Sequence, residues 1–190
     1  VTERELLKRL ELFPMPESEE RQWRLDTLMN AYGVRADREL IRGALLVDGI
    51  SRERLTSEAV AISGVDNPNS AAQLMRWLSD NGTETPDLRK ETVEELLRGR
   101  PEGAVRRMLE LRQRLGKTSV RKYQAMEAAI CEDGRIRGLT QYYGANRTGR
   151  WAGRLVQLQN LPRNYIKSLD YARKLAKEGN HDGIQLLYGN

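Results

Sequence analysis

Over the first 130 positions, apolar residues recur mostly at three- and four-residue intervals, the spacing of helices with one buried face. Residues 2–12 predict a short amphipathic helix, stopped by Phe13-Pro14-Met15-Pro16. Ser18 is the expected N-cap of a second helix, with Glu19 and Glu20 favourable in its first turn. That helix carries Trp23, Leu25, Leu28 and Met29 to a stop at Gly33. Asp37 is placed to cap a third helix bearing Leu40, Ile41, Ala44, Leu45 and Val47, in which Gly43 and Gly49 weaken the propensity and blur the end. The turn GVDNPNS offers Asn69 or Ser70 as cap for a helix with Leu74, Trp77 and Leu78. After the loop NGTETPDLRK another helix is expected around residues 93–97, and RGRPEG breaks it.

From about residue 102 to 130 the pattern predicts one long helix. At about 100° per residue, Val105, Met108, Leu115, Tyr123, Met126 and Ile130 share one arc, and Arg107, Arg114, Lys117 and Arg121 share the opposite one. Gly116 is a candidate kink. After CEDGR the period changes: RIRGLTQYYGA and TGRWAGRLVQ are short, rich in β-branched and aromatic residues, and separated by glycine and asparagine. They predict two strands of a hairpin. Ser168 opens a last helix through Leu169, Ala172 and Leu175, and GIQLLYGN follows. The fold class is therefore mainly α, with a long basic helix and a small antiparallel β element near the C-terminus. The expected division is a helical region at 1–132 and a segment at 133–190, separate or merged into one compact unit.

At 190 residues the chain can bury a real core, and no apolar run is long enough for a membrane span. The N-terminus lacks a signal-peptide core, and the single Cys131 fits a reducing, cytoplasmic setting. Val1 stands where a start methionine is usual, which suggests either a piece of something longer or processing of the N-terminus. The net charge of +5 hides an asymmetry: residues 1–97 hold 13 Lys+Arg against 19 Asp+Glu, and residues 98–177 hold 19 against 6. A basic block beside an acidic one points to a polyanionic partner for the second half, with a merely solvated surface as the alternative.

Enzyme chemistry finds few parts. His181, the only histidine, sits in a polar NHD stretch and reads as a surface residue; one histidine cannot build a histidine-rich metal site or a convincing triad. Cys131 reads as packing, and Glu19-Glu20 and Glu94-Glu95 as solvated faces, since neighbours on a helix diverge by about 100°. GANRTGR has the Gly-x4-Gly spacing of a phosphate loop, but Arg150 and Trp151 stand where lysine and Ser/Thr are required, so there is no magnesium-binding hydroxyl.

Nucleic acid is the better fit. Arg107, Arg114, Lys117 and Arg121 form a stripe about 20 Å long at about 1.5 Å per residue, with Thr118 and Ser119 beside it as hydroxyl donors. The hairpin adds Arg147, Arg150, Arg154 and Arg163, with Gly144, Gly149 and Gly153 permitting close backbone approach. Gln157, Gln159 and Asn160 supply amides that can donate to the N3 and O2 acceptors every base pair offers in the minor groove.

The run RTGRWAGRLVQLQNLP resembles the TGR…NLQNIP segment of family A DNA polymerases, and its WAGR variant resembles the phage branch of that family. In the same order, LDTLMNAYGVRAD, NPNSAAQLMRWL and LELRQRLGKTSVRKYQAM resemble the family's thumb elements. The resemblance covers about residues 20–165. It implies a thumb region that grips primer–template duplex: phosphate contacts from Lys117, Thr118, Ser119 and Arg121, Thr148 opening the motif, Arg150 and Arg154 near the growing strand, and Gln159 and Asn160 at minor-groove edges. Trp151-Ala152-Gly153 replace the family's serines and Val156-Gln157 its Pro-Asn, so contacts made by those groups do not carry over. The family's magnesium-binding aspartate segments and its nucleotide-binding helix find no match. The expectation is thus a grip without a catalytic centre, holding no cofactor itself. Magnesium, the palm and the fingers, and in a proofreading member an exonuclease, are expected in a parent DNA-directed DNA polymerase. The alternatives are a stand-alone phage nucleic-acid-binding protein and a protein-interaction scaffold.

Overall fold

The computed structural model describes residues 2–117, 120–161 and 164–189, and these are mainly α-helical with two short antiparallel strand pairs. The chain groups into two compact units, each discontinuous in sequence: one of Val1–Arg38 with Ala125–Ile166, the other of Glu39–Gln124 with Lys167–Asn190. Within the first unit, strand pairing ties residues 34–35 to residues 135–136.

In the first unit, α1 (Glu3–Leu10) starts with a capping box. Glu5 N–H donates to Thr2 Oγ1, and Thr2 N–H donates to Glu5 Oε2 at 2.9 Å. The second helix, α2 (Glu17–Tyr32), begins directly after Pro16, so Ser18 lies inside its first turn and is not the cap. Glu17, Glu19 and Glu20 instead meet the positive end of the helix dipole. It stops at Gly33, whose φ of 71° favours glycine, and a Cβ there would collide with the Ile136 carbonyl. That close approach lets β1 (Val34–Arg35) pair with β2 (Arg135–Ile136), a pairing across about a hundred residues that local patterning does not reveal.

The expected hairpin is present as β3 (Thr140–Ala145) and β4 (Arg150–Gly153), in antiparallel register with Thr140 opposite Gly153 and Ala145 opposite Arg150. Asn30 holds it to α2 like an extra strand: its amide donates to the Thr140 carbonyl at 2.9 Å and accepts from the Thr140 N–H at 3.0 Å. Ile136, Leu139 and Val156 form the buried cluster here, with Met126, Ala129 and Ile130 against it.

The second unit is built on α3 (Arg38–Ser63), which runs through both glycines without a break. Its core gathers Leu74 and Leu78 of α4 (Ala71–Asp80), Val93 of α5 (Lys90–Arg98), and Met108, Leu109 and Leu111 of α6 (Gly103–Leu115) around Ala59. Ser70 is the cap of α4, as expected. Each such full burial contributes about 1.5–3 kcal/mol.

The long helix expected over 102–130 is two helices: α6 ends at Leu115, and α7 spans Arg121–Ala129. Their apolar arc is accordingly divided, with Met108 in one cluster and Met126 and Ile130 in the other. The chain closes with α8 (Leu169–Lys177) and α9 (His181–Tyr188), the latter capped by Asn180.

Both pack along one stripe of α3. Gly43 has no room for a Cβ because the Ala176 carbonyl lies against it, Leu46 covers Gly179, and Ser51 and Arg54 bond His181 and Asp182. His181 is therefore buried, not a surface residue: its ring nitrogens lie 3.0 Å from Asp182 Oδ1 and from Ser51 Oγ. Long-range docking buried it, and its polar neighbours in sequence gave no sign of that.

Candidate nucleic-acid interface

The predicted cations divide into two groups, one in each unit. In the second unit, Arg107 is already occupied. Its Nε and Nη2 donate to the two carboxylate oxygens of Glu58, the latter at 2.8 Å, and Nη1 reaches Glu110 at 3.3 Å. The Arg107 hydrogen bond holds the Glu58 carboxyl below its ordinary range, and the same pair raises Arg107 further. Arg114 lines a small cavity of about 160 Å³ beside this pair, together with Arg54 and His181.

Lys117 and Arg121 are exposed, and among the described residues neither has a carboxylate partner. They line a polar cavity of about 530 Å³ with Arg52, Asn69, Arg112 and Gln124. Arg112 was not among the predicted cations. On one continuous helix it lies about 200° from Arg114, on the wrong arc. The break after Leu115 brings Lys117 and Arg121 to the cavity that Arg112 lines. Thr118, Ser119 and Arg163 lie outside the described residues.

In the first unit, Arg147 and Thr148 sit in the β3–β4 turn, Arg150 opens β4, and Arg154 follows it. Thr148 Oγ1 donates weakly to the Ala145 carbonyl at 3.4 Å, which turns it back onto the hairpin. All three arginines are exposed, and among the described residues none pairs with a carboxylate. The glycines of this segment serve the hairpin itself. Gly149 turns the chain at φ 64° under the Tyr143 ring, and Gly153 leaves the space that the Gln159 amide fills.

Gln159 and Asn160 occupy a 3-10 turn, Leu158–Asn160, exposed to solvent, with Asn160 Nδ2 donating to Gln157 Oε1 at 2.9 Å. The chain reaches that turn through two left-handed residues, Leu155 (φ 52°) and Gln157 (φ 51°). Such residues cost about 1–2 kcal/mol each. Between them Val156 is 1% exposed in the Ile136–Leu139 cluster, a burial worth about 1.5–3 kcal/mol. One anchored valine thus offsets much of the strain that presents the two amides.

Two further cations of the basic block are engaged within the chain. Arg135 donates to the Gly33 carbonyl at 3.1 Å and stacks 4.1 Å over the Tyr32 ring, and Arg137 donates to the Ala31 carbonyl at 2.9 Å. Both satisfy carbonyls at the end of α2 that have no helical partner. Arg137 also grips Asp133 and lowers that carboxyl to about 2.

Ser51, His181 and Asp182 form a hydrogen-bonded chain in which Ser51 lies inside α3, so its neighbouring backbone amides are spent in the helix. Among the described residues no three His, Cys, Asp or Glu side chains gather as a metal cluster, and no helix is long and apolar enough to cross a membrane.

Over 187 residues the chain is 49% identical to a protein named DNA polymerase from Bacillus phage SP02, an alignment that takes in 98% of this chain and 29% of that protein. The chain therefore spans less than a third of that relative's length. No protein-family model matches the chain, and no solved structure does.

Proposed function

We propose that this chain is the duplex-gripping part of a template-directed DNA polymerase of family A, corresponding to its thumb and the entry to its palm. The observation that carries the reading is the 49% identity to a phage DNA polymerase over nearly the whole chain. The RTGRWAGRLVQLQNLP run supports family A, and the exposed Lys117, Arg121, Arg147, Arg150 and Arg154, which among the described residues pair with no carboxylate, supply the means together with the half-buried Arg114 beside Glu58. Arg114, Lys117 and Arg121 in one unit and Arg147, Arg150 and Arg154 in the other contact sugar-phosphate backbone; Gln159 and Asn160 feel minor-groove edges. Arg107 contributes least, because a phosphate must compete with Glu58 and Glu110 for it.

The chain by itself is inactive in this reading. In this reading the magnesium ions of nucleotidyl transfer belong to acids elsewhere in the polymerase. The test is a titration of labelled primer–template with the 190-residue chain across salt concentrations. Six phosphate contacts give a slope of log affinity against log salt of about −5, without sequence preference. Absence of salt-dependent binding at low ionic strength overturns the grip, while the kinship to a polymerase would still rest on the alignment.

A further inference from the structure

The end of α6 is held by a side chain from another helix. Arg52, in the middle of α3, directs Nη1 to the Leu115 carbonyl at 3.2 Å and Nη2 to the Lys117 carbonyl at 2.9 Å. Its Nε donates to Asp48 Oδ2 at 2.8 Å, one turn earlier on the same helix. The last carbonyls of a helix have no partner of their own, so this fork closes α6 and pins the backbone from which Lys117 leaves it. Asp48 both orients the guanidinium and offsets its charge. Arg52 therefore adds little attraction for an anion, although it lines the same polar cavity as Arg112, Lys117 and Arg121.

We propose that Arg52, aligned by Asp48, is the positioning residue for a phosphate contact made by Lys117 and Arg121. This rests on the nucleic-acid reading above. Ordering one backbone residue costs about 1–2 kcal/mol, and a brace on the Leu115 and Lys117 carbonyls meets that cost before DNA arrives. The planar fork is essential. Lysine, a compact charge on a flexible stem, cannot hold two carbonyls and a carboxylate in one plane.

The experiment is a salt-resolved titration of fluorescent primer–template with the 190-residue chain and its variants, alongside circular dichroism melting to confirm folding. The double variant Lys117→Ala/Arg121→Ala should weaken binding and flatten the salt slope by about two. If it does neither, the nucleic-acid reading of this cavity fails and the inference falls with it. Arg52→Ala should weaken binding about tenfold, the size of a coupling between neighbouring groups. Arg52→Lys should do the same, although it keeps the charge.

Asp48→Asn gives the sharpest discrimination. Loss of an acid beside a phosphate site tightens binding on electrostatics alone, whereas loss of the alignment weakens it. Arg52→Ala in the Lys117→Ala/Arg121→Ala background should have no further effect. Full rescue by Arg52→Lys, tighter binding by Asp48→Asn, or additivity in the combined variant would each overturn the positioning role while leaving the DNA reading intact.

Discussion

Gly43 and Gly49 lie on the same helix, α3, and the structure assigns the same substitution opposite signs at the two positions. Replacing a helix-interior glycine by alanine is worth about 0.8–1 kcal/mol of propensity. At Gly49 a new Cβ meets nothing within 4 Å, so Gly49→Ala should gain about that amount. At Gly43 the Cβ would fall on the Ala176 carbonyl, within a distance that atoms never share, with the backbone of Lys177 close behind. Because these are backbone atoms, no rotamer change can relieve the clash, and α8 must move off α3. Overpacking of this kind costs about 1–3 kcal/mol. Displacing α8 also threatens the bonds that Ser51 and Arg54 make to His181 and Asp182 beyond it. The backbone clash offsets the propensity gain, and Gly43→Ala should lose up to about 2 kcal/mol net. Urea unfolding followed by circular dichroism measures both variants under identical conditions. Equal stabilisation by the two alanines would refute the α3–α8 packing.

Val156→Ala removes two buried methyl groups at about 0.8 kcal/mol each and leaves a cavity, so it should cost about 2 kcal/mol in urea unfolding; a loss below about 0.5 would show that Val156 does not anchor the turn. Glu58→Gln releases one carboxylate from Arg107, and primer–template binding should tighten with a salt slope steeper by up to about one. An unchanged slope would mean that Glu110 alone still neutralises Arg107. Asp133, at about 2 against an ordinary 3.8, and Glu58, also lowered, have depressed folded-state values. Their contribution is thus complete above the ordinary carboxylate range and lost as pH falls through it towards 2. Thermal stability should stay flat from about pH 7 to 5 and drop below about 4.5, and Arg137→Ala should move the Asp133 titration, followed by NMR, up towards its ordinary position, with the Arg135 N–H still holding it below. On the polymerase reading proposed above, Arg150→Ala and Gln159→Ala in the longer protein should each slow primer extension with the fold retained; normal extension kinetics in both would sink the assignment of that segment.

Local patterning carried much of this fold. The helices at residues 2–12, 93–97 and around Leu74, the Gly33 stop, the Ser70 cap and the hairpin after CEDGR all follow from neighbours within a few positions, where propensity, capping and turn chemistry act. The run RTGRWAGRLVQLQNLP was equally legible, because a motif is a linear object. Tertiary structure decided what depends on partners far along the chain. Gly116 marked a kink in the sequence, but α6 ends at Leu115, where Arg52, more than sixty residues away, donates to the Leu115 and Lys117 carbonyls. His181 lies in a polar stretch and is buried because α3 offers Ser51. Above all, charge counts treat every arginine alike. Arg52, Arg107, Arg135 and Arg137 are spent on carbonyls and carboxylates of the same chain, whereas among the described residues Arg147, Arg150 and Arg154 pair with no carboxylate. A guanidinium has five donors, and only the folded chain determines whether they point inward or remain open to a phosphate.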